Sequence, residues 1–364
     1  MTPYLFVFGV LSAFAIANHV KQFRQMRLYF FILSALMLIL FAGLRQAGVG
    51  ADDGNYVNKF LAVPDLTYWI TGKFKYTFAE TWMEPAYIFL GSTVRVFTEE
   101  YVFLFTAVAL FSVGLASYNY YRYTPFVFLA LVLFFVHTYL YRDINQIRAA
   151  VAAAIGLFLI SQIYSREHFK AIITISLAGM FHMASLSLAI VYLLSFFRVT
   201  RKRLVYGYFI ALFLGLIGVS QVLLSILPNL GHVTTKLVNY ANSGYADSVS
   251  LFDITNIKNS FIFFVLIYYW HYLIKKVRYF ETMMLFYFLA VTWRIAFNDF
   301  GIFAARIATF FGVVEVLLVP ALLYLFRQKL MATLVILLYA FLTLYLNLFV
   351  KEGRYPYELS FTIF

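Results

Sequence analysis

The sequence predicts an all-α fold, a polytopic transmembrane helical bundle of about 11–13 membrane segments with a short re-entrant or interfacial helix near 84–98. Two observations carry this. The chain is 63% hydrophobic and 12% charged, with mean hydropathy +0.84, whereas a soluble domain holds about 25% charged residues. The apolar residues also fall into successive runs, each broken by a small basic or polar cluster. Residues 1–364 read as a single integral membrane domain, without Pro- or Ser-rich linkers or internal repeats.

Taken in order, the runs at 3–19, 28–44, 101–120, 125–141, 147–164, 205–227, 261–273, 282–297, 306–326 and 330–349 are spanning candidates, since a helix needs roughly 20 apolar residues to cross the hydrocarbon. Residues 2–20 lack a basic start and a small-residue cleavage site, so the first run is read as a span rather than a signal peptide. The stretch 169–197 is too long for one crossing and short for two. The stretch 84–98 is short and amphiphilic, with Arg95 inside it.

Orientation follows from lysine and arginine, which favour cytoplasmic loops. Lys21, Arg24 and Arg27 put the first connection inside; so do Arg198, Arg201, Lys202 and Arg203, then Lys275, Lys276 and Arg278, then Arg327 and Lys329. If 84–98 does not cross, Arg122 and the cluster 166–170 also lie inside. Then 169–197 must enter and return, with His182 near its far turn. The expected consequence is that the loops 45–84 and 228–259, the connections 142–148 and 298–306, and His182 share the extracytoplasmic side. There the loops would lie over a site for a polar, anionic substrate.

Several classes drop out. The absence of cysteine removes thiolate nucleophiles, disulfides and Cys-ligated metals. The histidines show no ligand spacing, so no metal or other cofactor is expected. The net charge of +12 follows from cytoplasmic basic loops and does not indicate nucleic acid. No Walker-type, GxGxxG or GxSxG pattern occurs.

The chemistry-bearing residues gather on the outer face. LRQAGVGADDGNYVNKF at 44–60 places Arg45, Asp52, Asp53 and Tyr56 around glycines that permit sharp turns. Only one of two adjacent carboxylates can normally face a site, the other capping the turn. Glu84 stands before Pro85, which suits an N-cap; capping explains it, and so does a base held at the membrane surface. RDINQIR at 142–148 brings Arg142 and Arg148 beside Asp143. An arginine opening an apolar run is costly unless paired or snorkelling, and a guanidinium matches phosphate oxygens bidentately. His182 lies in an otherwise apolar stretch, where an ionisable group suggests function. Arg306 opens another run from the outer side, Glu315 lies mid-span and pairs inside the bundle, and Arg294 is harder to place. The base is open among Asp52, Asp53, Glu84 and His182; Arg45, Tyr56, Arg142, Arg148 and Arg306 are the substrate-binding candidates.

Five pieces in order resemble the EpsG family of polysaccharide polymerases, relatives of the Wzy-type O-antigen polymerases: LR…VGADDGNY at 44–56, EPAYIFL at 84–90, NQIRAAVA at 145–152, MFHMASL at 180–186, and ARIATFF at 305–311 with Pro320. Met183 and Ala149 stand where the family often has proline and glutamine. The resemblance implies a metal-independent membrane glycosyltransferase. It would join undecaprenyl-diphosphate-linked glycan donor and acceptor at the outer face, with membrane lipid and a chain-length regulator as further partners. Other classes to weigh are a lipid-linked oligosaccharide flippase or exporter, and a ligase or acyltransferase on the same carrier. A flippase would need polar groups through both leaflets and usually shows repeats.

Overall fold

The computed structural model describes residues 1–64, 66–70, 77–78, 81–219, 248–350 and 355–360. Nearly all of these are helical; the one hairpin is a two-residue pairing of Thr77–Phe78 with Thr81–Trp82. Among the described residues four helices are long and apolar enough to cross a membrane: Tyr101–Tyr123, Ile147–Tyr164, Phe303–Leu325 and Lys329–Val350. A fifth crossing is available if Ile254–Tyr268 and Trp270–Lys276, bent by 79°, form one broken span. Shorter apolar helices occupy Thr2–Ala17, Arg27–Gly43, Val127–Tyr139, His168–Phe181 and Met183–Leu194. The protein is a polytopic helical membrane bundle.

The chain divides into two compact units. The first comprises Met1–Leu159, Phe169–Leu186 and Val319–Phe364. Here α1 (Thr2–Ala17), α2 (Arg27–Gly43), α3 (Asp53–Ala62), α4 (Pro85–Arg95), α5 (Tyr101–Tyr123) and α6 (Val127–Phe134) precede α7, which starts at Ile147. Helix α5 is the hub, packed by α2 on one side and α7 on another. Both contacts use small residues, as close approach in lipid requires. A Cβ on Gly43 would collide with the Thr106 backbone, and the α7 segment AAVAAA is buried throughout. A π-helical turn at Phe135–Tyr139 continues α6. There the Val136 carbonyl accepts from Asn347 Nδ2 at 2.7 Å, and the Tyr139 hydroxyl donates to the Leu38 carbonyl at 2.6 Å.

Helix α4 decides the status of 84–98. Its 11 residues span only about 16 Å at 1.5 Å per residue, half the hydrocarbon thickness. It is pinned alongside α3, because Arg95 Nη1 donates to the carbonyls of Leu61 (2.6 Å) and Val63 (2.5 Å). It does not cross. Loop 45–84 is partly helical, holding α3 and Thr67–Ile70, while residues 65, 71–76 and 79–80 lie outside the described set.

The C-terminal segment 355–360 returns to this unit. Gln46 N donates to the Glu358 carbonyl and Ser360 N to the Leu44 carbonyl, each at 2.9 Å. Tyr357 stacks on Phe41 at 3.9 Å between ring centroids.

The second unit comprises Ile160–His168 and Ser187–Leu318. Helix Phe280–Ala296 is its centre, with Arg201–Leu216, Ile254–Tyr268 and Gly301–Phe311 around it. Arg294 pairs with Asp253 (3.0 Å) and Asn256 (2.9 Å), and Glu315 with Lys258 (2.8 Å). The expected loop 228–259 needs correction at its end. Asp253 accepts from Thr255 N and caps a helix from Ile254, so 254–259 are helical. Residues 220–247, with Lys236, Tyr240, Tyr245 and Asp247, lie outside the described residues.

The stretch 169–197 does reverse. His168 stacks on Phe196 and its Nδ1 lies 3.0 Å from the Tyr192 hydroxyl. Gly179 faces Leu186 so closely that a Cβ would collide with it. Helix His168–Phe181 ends at His182, and a 3-10 turn at Met183–Ser187 follows.

Candidate functional site

Glu84 is the centre of the candidate site, and it does not do what its place in the sequence suggests. It occupies the N-cap of α4, with Pro85 behind it, yet its side chain makes no capping bond. The carboxylate turns to three donors instead. One oxygen pairs with the Arg148 guanidinium. The other lies 3.2 Å from His182 Nδ1 and accepts from Met183 N at 3.2 Å. Three segments far apart in sequence thus meet on one carboxylate that is 4% exposed. Burial alone would raise its pKa, but the His182 hydrogen bond and the Arg148 charge outweigh it and hold the group at about 2. Glu84 is therefore a permanent anion near neutral pH.

Helix α3 supplies the next wall. Tyr56 and Tyr87 flank Arg148, each ring 5.8 Å from its guanidinium carbon, and meet each other edge to face. The Arg148 Nε and the Tyr87 hydroxyl are buried without a hydrogen-bond partner. Such groups are expensive to hide in lipid-embedded protein unless something else engages them. Lys59, one turn beyond Tyr56, is half-buried and close enough to Arg148 and Glu84 to feel both charges. Burial and the Arg148 charge lower its pKa, and among the described residues it has no ion-pair partner.

His182 is more accessible than Glu84 or Arg148, its side chain 27% exposed. It ends its helix, and its carbonyl accepts from both the backbone and the hydroxyl of Ser185. Burial lowers its pKa, against the pull of Glu84, so the imidazole is neutral at pH 7. The tautomer that donates from Nδ1 to Glu84 carries its basic lone pair on Nε2.

The remaining expected residues fall elsewhere. Arg45 and Asp53 form a fully buried bidentate pair, at 2.7 and 3.2 Å. The guanidinium stacks on Phe105 at 4.1 Å and also donates to the Ala42 carbonyl, while Asp53 accepts from Gly50 N at 2.7 Å. A Cβ on Gly50 would strike the Ile144 carbonyl, which explains glycine there. This pair is sealed, with no exposed face, and it holds the turn of the loop. Asp52, partly exposed, stands at the N-cap of α3 and donates its N–H to Asn145 Oδ1 at 3.0 Å. Arg142 is turned inward, buried, and donates to the Ala149 carbonyl at 2.9 Å. Its neighbour Asp143 is buried against Ser112, and burial raises its pKa to about 7. Arg306 lies exposed on Gly301–Phe311 in the second unit.

Two site residues escaped the sequence reading, Lys59 and Tyr87. Both were accessible to it. Lys59 stands at i+3 from Tyr56 and Tyr87 at i+3 from Glu84, the spacing that puts side chains on one helix face.

A model of the EpsG family matches residues 28–359, which takes in every residue of this site. The chain belongs to the EpsG family. This EpsG-family protein is also similar to the amylovoran biosynthesis protein AmsC of Erwinia amylovora, 29% identical over 315 residues covering 83% of this chain and 81% of the relative. No solved structure matches it.

Proposed function

We propose that this protein is a polysaccharide polymerase, a membrane glycosyltransferase that joins oligosaccharide repeat units carried on undecaprenyl diphosphate at the outer face of the inner membrane. Family membership and the likeness to an amylovoran biosynthesis protein support the polymerase. The single observation that carries the mechanism is the convergence of Arg148, His182 and Glu84, with Lys59 beside them.

In this reading the neutral His182 takes the proton of the acceptor hydroxyl at Nε2. The oxygen attacks the anomeric carbon of the donor glycan, and the bond from that carbon to the diphosphate oxygen breaks. The electron pair leaves with the diphosphate, whose charge Arg148 and Lys59 neutralise. A lipid diphosphate is a good leaving group, so two cations suffice for its departure. Glu84 fixes the His182 ring and its tautomer; as a carboxylate of pKa about 2 it is too weak a base for the proton transfer itself. Tyr56 and Tyr87 give Arg148 a rigid seat.

The test uses purified protein in detergent with a synthetic single-repeat lipid diphosphate, products resolved on a gel. Wild type makes a ladder; His182→Ala and Arg148→Ala, folded by their melting curves, stop at one repeat. Full ladders from both would remove this mechanism.

A further inference from the structure

At the end of the first unit away from Glu84 lies a cavity of about 300 Å³. The opposition follows from α2, which begins at Arg27 in the cavity wall and ends beside Arg45. Arg24, Arg27 and Lys329 line it, and no acidic residue does. Among the described residues none of the three is in an ion pair. Arg24 reaches only the carbonyls of Asn18 and His19, each at 3.4 Å, and Arg27 lies over Tyr121. Three cations facing one concavity repel each other unless an anion joins them.

The rest of the lining is of a different kind. His19 is bound to Thr333 at 2.9 Å, which ties α1 to the helix Lys329–Tyr345. Burial and the charges of Arg24 and Lys329 hold the His19 pKa down, so both cations act on the same space. Asn18 lines the cavity with a buried side-chain oxygen that has no partner. Beyond these and Tyr324 the wall is apolar, from Phe126, Phe128, Leu129 and Leu323. It adjoins α2, whose Leu28, Ile32 and Leu33 are exposed as lipid-facing residues are. A cationic mouth, an unmet acceptor and an apolar back wall match a phosphodiester with a hydroxyl on one side and a hydrocarbon chain on the other. Free inorganic phosphate would use only the first of these.

We propose that this cavity binds the headgroup of an anionic glycerophospholipid: Arg24, Arg27 and Lys329 take the phosphodiester, Asn18 the headgroup hydroxyl, and the aromatic wall the first part of an acyl chain. Basic pockets between helices are a known form of lipid recognition. This site owes nothing to the polymerase reading.

The experiment is native mass spectrometry of the full chain in detergent, with phosphatidylglycerol, phosphatidylethanolamine or inorganic phosphate added. Wild type retains one phosphatidylglycerol, and R24Q/K329Q binds it at least tenfold more weakly, while R24K/K329R keeps it. Retention by R24Q/K329Q equal to wild type overturns the proposal, as does equal retention of phosphatidylethanolamine. If R24Q/K329Q does not fold, Tyr324→Cys in the otherwise cysteine-free chain decides. Phosphatidylglycerol must then slow its maleimide labelling severalfold. Absence of protection overturns the site, and equal protection by inorganic phosphate overturns the lipid as its ligand.

Discussion

Replacing Glu84 by Gln keeps the side chain's volume and one acceptor oxygen but removes its charge. The native carboxylate has its pKa lowered from 4.5 to about 2, which corresponds to roughly 3 kcal/mol in favour of the ionised form at 1.36 kcal/mol per pH unit. Breaking a buried ion pair by removing one partner costs about 3–5 kcal/mol, so the two routes agree. Glu84→Gln should therefore lower stability by about 3 kcal/mol at pH 7, since Arg148 is left as a buried cation without its anion. The sign with pH is fixed by the depressed pKa. The stabilisation is complete above pH 4.5 and disappears as pH falls toward 2, so the wild-type advantage over Glu84→Gln should shrink across that window. Turnover should fall about a hundredfold, because 3 kcal/mol at the step that orients His182 is worth that factor. The assays are detergent melts followed by tryptophan fluorescence, and single-turnover transfer on a lipid-linked repeat. A Glu84→Gln protein within twofold of wild type in transfer and within 1 kcal/mol in stability, the lower part of what losing a hydrogen bond to a charged group costs, would refute the reasoning.

The buried pair tests a structural role. Asp53→Asn should destabilise by about 3 kcal/mol, and pairing it with Arg45→Met should recover part of that loss in a denaturant melt. Lys59→Gln should leave stability within about 0.5 kcal/mol while raising KM for the lipid-linked donor about tenfold, read by transfer kinetics at varied donor. His182 has a pKa below the ordinary 6.5, so the unfolded chain takes up a proton that the native protein refuses as pH falls through 6.5. Wild-type stability should drop there, His182→Gln should lack that drop, and wild-type turnover should persist below pH 6.5.

Much of the architecture was legible because solvation by lipid leaves few options. Long apolar runs in such a chain must be helices. The reversal near His182 follows from the placement of the basic clusters once 84–98 is taken not to cross; length alone leaves 169–197 ambiguous. The site was legible by residue type but not by partner. Asp52 and Asp53 are equivalent as letters; the turn at Gly50 sends Asp53 to Arg45 and leaves Asp52 at the helix edge. Glu84 read as a cap because Glu-Pro is a capping signal, and only tertiary contact shows that its side chain ignores the cap. Arg142 and Arg148 are six positions apart with similar flanks, yet one folds inward to a carbonyl and the other meets Glu84. Local sequence carries no term for such choices. They are settled by which elements pack together.

The pairing of 44–46 with 358–360 sets an order of events in biosynthesis. The loop holding Arg45 and Asp53 leaves the ribosome long before the backbone partners of Leu44 and Gln46 are made. Tyr101 spans the gap, its hydroxyl accepting from Ala47 N and lying 3.2 Å from the Ser360 hydroxyl. Until residues 358–360 arrive, those groups have only water or lipid headgroups to bond. The early half of the first unit must wait, unfinished at its loop, through the synthesis of nearly the whole second unit. A nascent chain arrested before residue 355 would lack the partners of this loop, and residues 358–360 act as the clasp that completes it.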